Sequence, residues 1–133
     1  MAKEIWYPTE ERIIELNALI LTVIRAKKKD QIKVLSMPKL REIVAKAISY
    51  DGDIYDKAAI LLTGITRQHP FSSGNRRTAF IAAKDFLTQN HTVCKIPDSP
   101  DLSRVLLGVR EGFYKIEEIK EWIQYGKIRE FKR

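Results

Sequence analysis

Three observations predict an all-α fold. Apolar residues recur at helical spacing along most of the 133 residues, no run alternates apolar and polar residues between turn signals, and capping or turn residues divide the chain into about six helical stretches. The length is that of one domain, so residues 1–133 are read as a single helical bundle.

Pro8-Thr9-Glu10-Glu11 reads as a helix start, with Thr9 as cap and two acids in the first turn. The stripe Ile13, Leu16, Ile20, Val23 and Ile24 then carries the helix to about Arg25. Ala26-Lys27-Lys28-Lys29-Asp30-Gln31 is polar enough for a surface loop. Ser36 and Pro38 suit a cap and an early helical proline, opening a second helix from Pro38 to about Ile48 with Leu40, Ile43, Val44 and Ala47 on one side. Asp51-Gly52-Asp53 is a turn, and Asp53 is placed to cap a third helix with Asp56 in its first turn. Ala58, Ala59, Leu61, Leu62 and Ile65 make that helix apolar on most sides, as a central helix must be.

His69 falls at or just beyond the end of this helix, because Pro70 disfavours an α conformation at the residue before it. Asn75 is the expected N-cap of a fourth helix, whose Ala79, Phe80, Ala82, Ala83, Phe86 and Leu87 are mostly apolar and which ends near Asn90. Val93 to Ile96 suits a short extended segment, and Ser99-Pro100 the start of a helix reaching about Val109. A last helix, from about Ile116 to Tyr125, stops at Gly126 with Ile116, Ile119, Trp122 and Ile123 facing inward. Trp6, Tyr7, Trp122 and Tyr125 read as core or interface aromatics.

A formal charge of +7 and a pI near 9.6 fit an anionic partner without choosing among nucleotide, acidic protein and nucleic acid. Aromatic and basic residues are not interleaved, so nucleic acid is not the expected partner. Lys27, Lys28 and Lys29, and the tail Lys127, Arg129, Lys132 and Arg133, read as solvated helix ends. The lone Cys94 and the lack of a signal-like leader favour a reducing cytoplasm. The apolar runs Ile13 to Ile24 and Ala58 to Ile65 are shorter than the roughly 20 residues of a membrane span.

The stretch His69-Pro70-Phe71-Ser72-Ser73-Gly74-Asn75-Arg76-Arg77-Thr78-Ala79 is where chemistry concentrates. A helix N-terminus binds anions through unsatisfied N–H groups and a partial positive charge; Gly74 allows close approach, and Arg76 and Arg77 add charge and bidentate donors. A histidine beside such a site could take a proton from an attacking hydroxyl. Residue chemistry alone leaves two plainer readings open: His69 as a helix-end residue, and Arg76 or Arg77 as partners of surface acids.

This stretch resembles the signature of the Fic/Doc family, and of its Doc (death on curing) branch, whose pattern is His-x-Phe-x-acid-or-Asn-small-Asn-Lys-Arg-Thr-Ala. His69, Phe71, Gly74, Asn75, Arg77, Thr78 and Ala79 match, and Arg76 replaces the lysine. The resemblance implies a compact bundle with the motif loop between two central helices, His69 as general base and Phe71 as buried loop anchor. It makes Gly74, Asn75, Arg76 and Arg77 the cradle of nucleotide phosphates. It implies ATP as co-substrate, transfer of its terminal phosphate to a hydroxyl of the translation factor EF-Tu, and a toxin restrained by a separate antitoxin. Family members with glycine after the asparagine transfer AMP instead, and the basic Arg76 favours the Doc-like reaction.

Ser73 departs from the family pattern. It stands where an acidic or amide residue helps hold Mg2+, and a neutral hydroxyl is a poor ligand for that cation. Asp85 lies nine residues beyond Arg76, about 13 Å along a helix at about 1.5 Å per residue, and cannot substitute. Asp53, Asp56, Asp98 or Asp101 could approach only through the tertiary fold. Either phosphates and water hold the metal, with Ser73 assisting weakly, or the chain is a catalytically weakened Fic-like binding protein. An inhibitory helix, with Ser or Thr four residues before a Glu, is not found: Leu107 occupies that position before Glu111-Gly112.

Overall fold

The computed structural model describes residues 4–23 and 33–132, and these form six helices in the predicted order. They are α1 (Glu10–Val23), α2 (Met37–Ser49), α3 (Ile54–Gln68), α4 (Asn75–Gln89), α5 (Leu102–Arg110) and α6 (Ile116–Tyr125). The expected run of α1 to Arg25, the loop of residues 26–31, the lysines at 27–29 and Arg133 lie outside the described residues. No described helix is long and apolar enough to cross a membrane.

Two caps act as the sequence predicts. Ser36 accepts the Lys39 N–H at 3.2 Å with Pro38 in the first turn of α2, and Asp53 and Asp56 form a reciprocal capping box at the start of α3. Buried Ala58, Ala59, Leu61, Leu62 and Ile65 make α3 the axis of the bundle, packed by α2, α4, α5 and α6, while α1 lies against α4 and α2.

Buried Lys57 departs from the apolar pattern. Its ammonium donates to the carbonyls of Ala47 (2.9 Å), Ile48 (3.2 Å) and Tyr50 (2.8 Å), satisfying the orphan carbonyls at the end of α2.

Four local expectations need correction. Asn75 is the first residue of α4 rather than its cap, because the left-handed turn falls on Gly74 and the Asn75 amide is used within the loop. Ser99 and Pro100 precede α5 in a turn, with Asp101 at the cap position, since the Leu102 N–H closes back onto the Ser99 carbonyl at 3.0 Å. Residues 93–96 form no strand; one bond, from the Lys95 N–H to the Ile123 carbonyl at 2.9 Å, docks them on α6. Ile116 and Tyr125 are 37% and 63% exposed, being at the two ends of α6, while Ile119, Trp122 and Ile123 fill the core. Half-buried Tyr7 stacks on Phe86, with ring centres 5.9 Å apart, and half-buried Trp6 is held at both backbone atoms by the Asn90 side chain.

Candidate functional site: the loop between α3 and α4

The two most buried helices, α3 and α4, meet at the loop 69–74, so an active group placed there rests on the stiffest part of the bundle. Phe71 is 1% exposed and anchors the loop in the core. The Phe71 N–H donates to Asn75 Oδ1 at 3.0 Å, and Asn75 Nδ2 donates to the Phe71 carbonyl at 2.9 Å, so one amide closes the loop on itself. The stretch before α2 supports it from outside. Leu35 N–H donates to the Pro70 carbonyl (2.7 Å), Ser72 N–H donates to the Lys33 carbonyl (3.0 Å), and Val34 pairs with Phe71 in an isolated antiparallel bridge. Sequence reasoning missed this strap, because a single bridge has no strand-length pattern.

Gly74 sits at φ 76°, where a side chain is strained, and a Cβ there would lie 3.2 Å from Leu21 Cδ2 and 3.3 Å from Asn17 Nδ2. From Gly74 the chain enters α4 without a side-chain cap. The first turn closes when the Thr78 N–H donates to the Gly74 carbonyl at 2.9 Å, leaving the amides ahead of it available to an anion. Arg76 and Arg77 are exposed and form no ion pair among the described residues. An anion reaching this turn would meet, among the described residues, amides with no backbone partner and two guanidinium groups in no ion pair.

Asn17 of α1 also reaches the loop. It is fully buried, and its Nδ2 donates to the Ser73 carbonyl at 2.9 Å and to Thr78 Oγ1 at 3.0 Å. The one signal in the sequence is a polar residue on the apolar side of α1, a turn from Ile13 and from Ile20.

His69 caps α3 in a left-handed conformation (φ 55°), its N–H donating to the Ile65 carbonyl at 3.3 Å. That conformation alone is not diagnostic, since His91 after α4 shares it. The residue is exposed, yet partial desolvation of the ring, followed by the charges of Arg110 and Lys39, holds its pKa below the ordinary 6.5. The imidazole is therefore neutral, and able to accept a proton, at and somewhat below neutral pH. Arg110→Gln removes one repulsive charge and raises this pKa. The acid limb of a pH–rate profile is then expected to move to higher pH with the plateau unchanged; an unmoved limb would show that another group sets it.

Carboxylates are scarce here. Asp85 is engaged by Arg12, whose Nε and Nη2 reach its two oxygens at 3.0 and 2.8 Å. Asp53 and Asp56 cap the far end of α3 and pair with Lys120. Among the described residues no three His, Cys, Asp or Glu side chains converge as a metal site. The Ser73 carbonyl accepts from Asn17, and the Ser73 side chain offers a neutral hydroxyl where a carboxylate would stand. The donor set does not suit Mg2+, a hard cation that wants carboxylate oxygens.

Cavities of about 440 and 390 Å³ lie elsewhere, and no residue of 69–79 lines either. A smaller, mostly apolar one, about 260 Å³, opens beside Arg77 and is lined by Ile20, Phe80, Ile81 and Leu102 together with Asp98.

The model of the Fic/DOC family matches residues 7–87, more than half of the chain. The chain belongs to the Fic/DOC family. The matched span runs from the segment before α1 nearly to the end of α4, so it contains the motif loop and both helices that carry it. Membership suggests a function of the nucleotidyl- or phosphoryl-transfer type. No curated protein matches the chain.

Proposed function

We propose that this Fic/DOC protein is a Doc-type phosphotransferase, moving the terminal phosphate of ATP to a hydroxyl of a protein substrate. The reading rests on one observation above others: the uncapped start of α4 lies on the same short loop as a histidine whose pKa is depressed. The amides of residues 74–77 and the side chains of Arg76 and Arg77 bind the phosphates. His69 takes the proton from the attacking hydroxyl. The oxygen then bonds to the terminal phosphorus, the bond to the bridging oxygen breaks, and ADP leaves. The cavity beside Arg77 offers apolar walls to the nucleoside.

The basic Arg76, in place of the glycine of the AMP-transferring relatives, favours phosphate over nucleotidyl transfer. The resemblance to Doc proteins supplies EF-Tu as the expected substrate and a toxin's dependence on a separate antitoxin, while the lone Cys94 favours a reducing cytoplasm. Intact-mass measurement of EF-Tu after incubation with the protein and ATP tests this. A phosphate adduct is expected, an AMP adduct would establish the nucleotidyl reading, and an unmodified protein would favour a weakened Fic-like binding protein. Ser73 motivates that last reading. Ser73→Asp installs the missing carboxylate and is expected to raise turnover with Mg2+ in the same assay; unchanged turnover would show that the serine is not what limits the site.

A further inference from the structure

We propose that Asn17 is a positioning residue for the phosphate cradle, acting as a lock on the peptide plane between Ser73 and Gly74. The inference rests on the function proposed above for the cradle, but it concerns a residue outside the motif. In a trans peptide the carbonyl and the following N–H point in opposite directions. Asn17 Nδ2 holds the Ser73 carbonyl toward α1 at 2.9 Å, so the Gly74 N–H is turned away from α1. Rotating this plane by half a turn would reverse both groups. It would withdraw one of the cradle's donors and aim a carbonyl where a phosphate oxygen should sit.

A lock is needed at this point because glycine accepts both signs of φ, so residue 74 does not itself resist the rotation. Asn17 answers the need at both ends of the turn. Its amide nitrogen has two hydrogens; one goes to the Ser73 carbonyl before Gly74 and the other to Thr78 Oγ1 in the first turn of α4. Thr78 is itself fully buried, and its N–H holds the Gly74 carbonyl at 2.9 Å, so the three contacts bracket the glycine. The orientation of the amide is fixed by chemistry, since the reverse would place Oδ1 against the Ser73 carbonyl oxygen.

Asn17 Oδ1 is buried with no hydrogen-bond partner among the described residues. A buried acceptor left unpaired is a cost, and an apolar residue at position 17, on the core side of α1, would avoid it. The two donated bonds are what a leucine could not supply.

The test compares Asn17→Leu, Asn17→Asp and, as a control one turn along α1, Ile13→Val, which loosens the same helix without touching the donor or the cavity beside Arg77. The Gly74 amide resonance is followed by NMR in the free protein, and ATP binding is measured by calorimetry in EDTA. Both Asn17 variants are expected to shift or broaden the Gly74 resonance while remaining folded, and to weaken ATP binding at least tenfold. Ile13→Val is expected to keep the wild-type Gly74 resonance and affinity. A wild-type Gly74 resonance in folded Asn17 variants, or an equal loss in Ile13→Val, would overturn the proposal. If wild-type protein binds no ATP while the Gly74 resonance still responds to the Asn17 variants alone, the lock stands and the nucleotide function falls.

Discussion

His69→Ala is expected to lower the rate of group transfer by about 10²- to 10⁴-fold, the usual contribution of a positioned general base. At about 1.36 kcal/mol for each tenfold, this corresponds to about 3–5 kcal/mol of transition-state stabilisation. The effect should appear in kcat, because the side chain acts on the hydroxyl during transfer and the phosphates are held by α4. Fold should survive, since His69 is exposed and contributes its backbone to the α3 cap, a role that alanine retains at the cost of the left-handed conformation. Initial rates and KM for ATP, with circular dichroism of the variant, check this. A variant with near-wild-type kcat would remove His69 from the chemistry and return it to the role of a helix-end residue.

Gly74→Val is the second large effect. The position has φ 76°, and a β-branched side chain there is strained by about 1–3 kcal/mol before any contact is counted. The new Cβ would also meet Leu21 at 3.2 Å and Asn17 Nδ2 at 3.3 Å, both tighter than ordinary contact. The turn must shift, and a misplacement on the order of 1 Å costs about 10²-fold in rate. Because the amides of the cradle move with the turn, KM for ATP should rise with the fall in kcat, a pattern distinct from that of His69→Ala. Gly74→Asn is the milder comparison, since asparagine tolerates the left-handed region better. Wild-type kinetics in Gly74→Val would mean that the turn does not carry the phosphates.

Much of this arrangement is legible in the sequence, and for identifiable reasons. The helices follow from apolar periodicity, and α2 and α3 start where Ser36 and Asp53 place them, because capping is a local interaction between neighbouring residues. Phe71 reads as an anchor and is buried. What the sequence hides is long-range. Lys57 lies within an apolar helix, and only the tertiary fold brings the end of α2 to its ammonium. Asn17 is 56 residues from Ser73 and 61 from Thr78. Lys39 and Arg110 come from two different helices to act on His69. Asn75 misleads for the opposite reason: it is a good cap by type, but the left-handed glycine before it takes that place and frees its amide to close the loop.

The central claim is that the uncapped start of α4, next to His69, holds the phosphates of a nucleotide. Titrating the protein with ATP while following backbone amide resonances tests it most directly. The largest changes are expected at Gly74, Asn75, Arg76 and Arg77, with the His69 ring also responding, and Arg77→Ala should diminish them. Changes confined to the C-terminal cavity lined by Arg104 and Arg129, or no response at residues 74–77 at saturating ATP, would contradict it.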